Sequence, residues 1–160
     1  MVRVKPIIVA GLGNPLMSDD GIGIRIVQIL SRKKNDFPTV EFRDIGLSVH
    51  GVIHAIAHRK TAILVDCAFM GESPGVIRRF ETKDVVSKHS RSPMDIHGAD
   101  LFDIITLSRR LGECPSHVII FAIEPADVSP GQSLSPDLEN RLVTYCSLVA
   151  EELKRYISIT

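Results

Sequence analysis

Ile7-Ile8-Val9-Ala10-Gly11-Leu12-Gly13-Asn14-Pro15-Leu16-Met17-Ser18-Asp19-Asp20-Gly21-Ile22-Gly23 is the stretch on which the reading of this chain turns. Residues 7–10 form a short β-branched run, and the Gly-Leu-Gly-Asn-Pro after it stops the strand and starts a loop. Ser18-Asp19-Asp20 then predicts a helix start, with Ser18 as N-cap and two acids at the positive end of the helix dipole. The helix runs to about Ser31. Ile22, Ile24, Ile26, Val27, Ile29 and Leu30 make it apolar nearly all round, as a well-buried helix is.

The same punctuation continues to either side. Residues 40–43 alternate apolar and polar, a half-buried strand that Asp44-Ile45-Gly46 ends. A modest helix follows over 49–58. Residues 62–65 are a fully apolar strand cut off by Asp66, and 71–75 are a turn before a strand over 76–80. The polar stretch 83–95 reads as loop. A helix over 98–111 turns Leu101, Ile104, Ile105 and either Leu107 or Leu111 inward, and a fifth strand over 118–123 ends at Glu124-Pro125. Ser135 as N-cap and Pro136 at the first helical position open the last helix, along which Leu138, Leu142, Tyr145, Cys146, Val149 and Leu153 repeat at helical spacing. Strands alternating with helices, several strands being continuous apolar runs, predict an α/β three-layer sandwich. Its sheet is twisted, mostly parallel and five-stranded, with helices on both faces. No repeat, low-complexity segment or linker interrupts it, so residues 1–160 read as a single domain.

Composition narrows the function. Lys+Arg and Asp+Glu are equal at 19 each, so the chain lacks the basic field that holds a phosphate backbone. Nucleic acid is not an expected partner. Cys67, Cys114 and Cys146 are odd in number and form no C-x-x-C pair, which fits a reducing, cytoplasmic setting. The apolar run after Pro6 is too short for a signal peptide, and no stretch approaches the ~20 apolar residues of a membrane span, so no membrane insertion is expected.

Three residues stand where chemistry is expected. Ligands of doubly wound folds bind beyond the carboxyl ends of the strands. Asp20 opens the helix after strand one, Asp66 is the first charge after strand three, and His97 opens the helix after strand four. Two carboxylates and an imidazole suit Ni, Zn, Co or Mn and leave positions open for substrate or water. Each also has a plainer reading: Asp20 as a helix-start acid, Asp66 as a strand end, His97 as a loop histidine bonded to backbone.

Four blocks in order lift the set above its plainer readings. Gly11-Leu12-Gly13-Asn14 with Ser18-Asp19-Asp20-Gly21-Ile22-Gly23 resembles the opening signature of the hydrogenase maturation endopeptidases. Asp66-Cys67-Ala68, Met70-Gly71 and Ser73-Pro74-Gly75-Val76-Ile77-Arg78 resemble the second block, and His97 with Leu101, Asp103 and Ile104 resembles the third. Ile123-Glu124-Pro125, Gly131 and Leu134-Ser135-Pro136 resemble the closing block. The similarity runs from about residue 6 to residue 150. It implies an endopeptidase that removes the C-terminal extension of a nickel-loaded hydrogenase large-subunit precursor. It implies Asp20, Asp66 and His97 as nickel contacts and catalytic residues, although some relatives carry Glu where Asp20 stands. Asp44 and Gly46 match an Asp-x-Gly stretch tied to substrate recognition. The nickel comes with the precursor, and no stored cofactor is implied. A nickel-dependent binding chaperone that no longer cleaves is the alternative on the same fold.

Other readings fail on particular residues. The opening also resembles peptidyl-tRNA hydrolases, but Leu16-Met17-Ser18 follows where that family continues toward its catalytic histidine. A dinucleotide site requires G-x-G-x-x-G, and Leu16 occupies the third glycine position. His50, His54 and His58, four apart, read as one solvated helix face. Cys67 follows Asp66 directly, so strand alternation predicts that it faces away from the site into the core.

Overall fold

A computed structural model describes residues 4–85 and 101–159. The strands are β1 (Ile7–Leu12), β2 (Val40–Gly46), β3 (Thr61–Cys67), β4 (Ile77–Glu81) and β5 (His117–Ile123). The helices are α1 (Ile22–Ser31), α2 (Val49–Ile56), α3 (Thr82–Val85), α4 (Leu101–Arg110), α5 (Pro136–Glu139) and α6 (Leu142–Ile157). Short 3-10 turns occupy Ser18–Gly21 and Lys34–Asp36.

The strands form one sheet in the order β2-β1-β3-β5-β4. β1 pairs in parallel with β2 and β3, and β3 with β5, while β4 runs antiparallel on the outer edge of β5. β1 and β3 are buried throughout, as strands covered on both faces must be. Alternation sorts their side chains into two core layers. Ile7, Val9, Ile63, Val65, Ile119 and Phe121 pack with residues of α1 and α6. Ile8, Ala10, Ala62, Leu64, Val118 and Ile120 pack with residues of α2 and α4. These are the three layers expected from sequence. The edge strand β4 carries Arg78 and Arg79, paired with Glu72 and with Glu81 and Glu152, and such charges deter a further strand from adding there.

The structure departs from the sequence expectations at element ends. α1 starts at Ile22, because the hydroxyl of Ser18 is drawn away to donate to the carbonyl of Ser129 (2.8 Å) rather than capping a helix. β2 continues through Asp44 to Gly46, and β3 includes Asp66 and Cys67. The last helix is broken into α5 and α6, and Ser135, expected to cap it, donates its hydroxyl to Asp19 instead. Within 83–95, residues up to Val85 belong to α3, and the remainder lies outside the described residues. α2 ends at Ile56 and His58 has φ 61°, so the three histidines do not share one helix face. Among the described residues, no helix is long and apolar enough to cross a membrane.

Candidate active site

β1 and β3 are central neighbours whose chain connections leave in opposite directions along the sheet, β1 to β2 and β3 toward β5 and β4. Their carboxyl ends therefore open a crevice, the place where such folds take ligands.

Close backbone contact brings Asp20 to that crevice. Gly13 has φ 114°, and a Cβ there would lie 1.9 Å from the carbonyl oxygen of Asp20, so only glycine lets the loop fold under the 3-10 turn. A Cβ on Gly23 would lie 2.1 Å from the carbonyl of Val65, so the start of α1 rests directly on the end of β3. One Asp20 carboxylate oxygen accepts the amide of Asn14 at 2.9 Å.

Asp66 is fully buried, and its Oδ1 accepts the following amide, that of Cys67, at 2.8 Å. By alternation Asp66 shares the sheet face of Ala62 and Leu64, while Asp20 arrives from the α1 side. The two acids approach the same edge from opposite faces. The Cys67 thiol registers both: burial first, then the charges of Asp20, Asp66, Asp19 and Glu124, push it far above its ordinary range. A thiol so disfavoured as thiolate is no nucleophile.

Cys67 is buried in the core layer on the face opposite Asp66, as expected, but one part of the sequence reading is corrected. It does not face away from the site: it lines, with Asn14, Met17 and Asp20, a cavity of about 400 Å³ whose other walls are Leu47, Phe69 and Val128. Alternation is intact. The 3-10 turn carrying Asp20 enters on the face of Cys67, and nothing in the strand pattern announces that.

Asp44 lies exposed at the carboxyl end of β2, and the carbonyl of Gly46 accepts the amide of Gly13 at 3.0 Å, tying β2 to the loop after β1. His97 lies outside the described residues. Among the described residues, no group of three His, Cys, Asp or Glu side chains is placed to hold a metal ion.

Two acids that sequence reasoning passed over support the site. Asp19 is fully buried and ties the turn to the 126–135 loop. Glu124, buried at the end of β5, accepts the amides of Met70 (2.6 Å) and Glu72 (3.3 Å). The signal for Glu124 was present: like Asp66, it is the first charge after an apolar strand.

Acids and a cavity at the switch point of a mostly parallel sheet define an α/β protein with a ligand-binding edge. Comparison with known proteins makes the class specific. The sequence model of the hydrogenase maturation protease family, HycI, matches residues 24–152. The hydrogenase 2 maturation protease of Escherichia coli is 29% identical over 136 residues, covering 83% of this chain and 81% of the relative. The hydrogenase expression/formation protein HupD of Thiocapsa roseopersicina is 25% identical over 151 residues, 94% of this chain and 68% of its own length. The structure of the hydrogenase maturating endopeptidase HybD from E. coli superposes with a TM-score of 0.75 at 25% identity, covering 94% and 93% of the two chains. A hydrogenase 2 maturation peptidase from a thaumarchaeote gives 0.69 at 27% identity over 93% and 98%. The chain belongs to the hydrogenase maturation protease family. It is a peptide-bond hydrolase of hydrogenase maturation.

Proposed function

We propose that this protein removes the C-terminal extension of a nickel-loaded [NiFe]-hydrogenase large-subunit precursor in the cytoplasm. The observation that carries the reading is an acid at each of two neighbouring strand ends, Asp66 in β3 and Asp20 in the turn after β1, with Asp20 in the wall of a cavity. Oxygen donors of this kind suit a divalent cation and leave room for a third, nitrogen ligand. Asp20, Asp66 and His97 contact the nickel that the precursor brings, and so dock the tail beside it. Asp44 and Gly46, at the end of the adjoining strand, meet the precursor.

A metal carried by the substrate makes cleavage wait until nickel is loaded. Bound in this way it orients the scissile segment, and it polarises the carbonyl or the attacking water. Binding and positioning then share the same contacts, so losing one ligand lowers both affinity and rate.

Nickel-loaded and nickel-free precursors incubated with the protein and weighed by mass spectrometry test this. The loaded precursor loses a defined C-terminal peptide and the nickel-free one stays intact. Asp20→Asn, Asp66→Asn and His97→Ala each lower kcat/KM by about a hundredfold, the scale on which a misplaced substrate is penalised. Wild-type activity in all three overturns the site. A stable complex without loss of mass replaces proteolysis by chaperoning.

A further inference from the structure

The rim of the cavity beside Asp20 is unusually apolar for a surface. Leu47 and Phe69, both in its wall, are 53% and 52% exposed, and Leu16, in the loop that supplies Asn14 and Met17, is 58% exposed. Large apolar side chains left singly in water are common, but two facing one cavity mark a place where apolar surface is to be covered.

Their backbones are pinned on both sides. The amides flanking Phe69 are fixed, Ala68 donating to Ile123 (3.0 Å) and Met70 to the Glu124 carboxylate (2.6 Å). Leu47 lies between Gly46, whose carbonyl is held by Gly13, and Ser48, whose hydroxyl caps α2 by accepting the amide of Gly51 (2.9 Å). Side chains held on rigid backbone and left half exposed are pre-organised for a partner, because little ordering cost remains to be met on binding.

The charge pattern selects among partners. Among the described residues, no lining side chain is cationic; Asp20 stands in the wall and Asp44 at the neighbouring strand end. An acidic side chain would bring like charge into this space, while an apolar one would bury the faces of Leu47, Phe69 and Met17.

We propose that this cavity is a specificity subsite that receives an apolar side chain of the substrate polypeptide next to the bond that is cut. The proposal rests on the protease reading above. Its volume of about 400 Å³ lies within the range of pockets that enclose small ligands.

The test uses nickel-loaded large-subunit precursors bearing Leu or Asp at each of the two positions flanking the cut bond. At one position, kcat/KM for Leu exceeds that for Asp by about tenfold or more, the scale on which an apolar pocket discriminates. The double variant Leu47→Ser/Phe69→Ser brings that ratio close to one. Leu111→Ser, an exposed apolar site at the opposite end of the sheet, keeps it. A ratio near one in the wild type, or one that the double variant preserves, overturns the subsite. If the wild type cuts none of the precursors, the protease reading falls, and the subsite is judged by NMR of the isotope-labelled protein with synthetic tail peptides. Shifts of the Leu47 and Phe69 amides with the Leu peptide and not the Asp peptide then uphold it; equal or absent shifts overturn it.

Discussion

Asp19 is wholly enclosed, and its carboxylate accepts four hydrogen bonds: from the amides of Ala126 (2.9 Å), Asp127 (3.0 Å) and Ser135 (2.7 Å), and from the Ser135 hydroxyl (2.8 Å). Its own amide donates to the carbonyl of Asp127 at 3.0 Å. The turn that presents Asp20 is thus fastened to a loop more than a hundred residues away in sequence. Spacing treats Asp19 and Asp20 alike, as two acids at a helix start; hydrogen bonding separates them, one as a fastening and the other as a cavity wall. Asp19→Asn retains one acceptor but turns an amide NH₂ toward donors. Buried groups left without partners cost about 1–3 kcal/mol each, so a loss of about 2–3 kcal/mol is expected. Urea unfolding measures it, and an unchanged midpoint would show that the four bonds contribute nothing net. Processing falls as well, since Asp20 loses its fixed place.

The contact of α1 with the sheet decides, at the scale of elements, where the site forms. Gly23 lies against the carbonyls of Val65 and Leu12, at 2.1 and 2.8 Å from where a Cβ would stand. Gly23→Ala must lift the start of α1 off β1 and β3, parting Asp20 from the β3 edge while leaving the chemical groups of the site unaltered. Overpacking of this kind costs about 1–3 kcal/mol, and thermal melts together with a precursor-processing assay should show activity falling further than stability. An alanine variant with full activity would mean that the helix position is not what places Asp20. This packing also marks how far sequence reading reaches. The strands were legible because β1, β3 and β5 are apolar runs with sharp stops, and Asp66 was legible as the first charge at such a stop. The break between α5 and α6 was not, because apolar spacing from Leu138 through Leu142 to Tyr145 runs across it unchanged. Ser18 and Ser135 read as caps because local rules favour them there; both are recruited by loops distant in sequence, a competition no local pattern records. The face and burial of Cys67 were legible from strand parity, but its place in the Asp20 cavity was not, because parity does not say which other segment lies over that face.

At the scale of the whole molecule, the described acids of the edge are held by the chain's own groups. Two apolar layers, one under α1 and α6 and one under α2 and α4, hold the sheet. The acids at the edge are oriented by backbone amides: Asp20 by Asn14, Asp66 by Cys67, Glu124 by Met70 and Glu72. A fold whose core and acid orientations are set by protein groups should not gain its stability from bound metal, in contrast to domains that fold only around an ion. Dialysis against a chelator is therefore expected to leave the melting temperature where it was. Nickel added to the protein alone should not raise it appreciably, because a weakly held ion contributes little by mass action. In the processing assay, nickel inserted in the precursor should be effective, and nickel pre-equilibrated with the protein should not rescue an unloaded precursor. A fall of several degrees on chelation, reversed by nickel, would mean that the protein keeps an ion of its own, and that substrate loading is sensed by some means other than completing a shared coordination sphere.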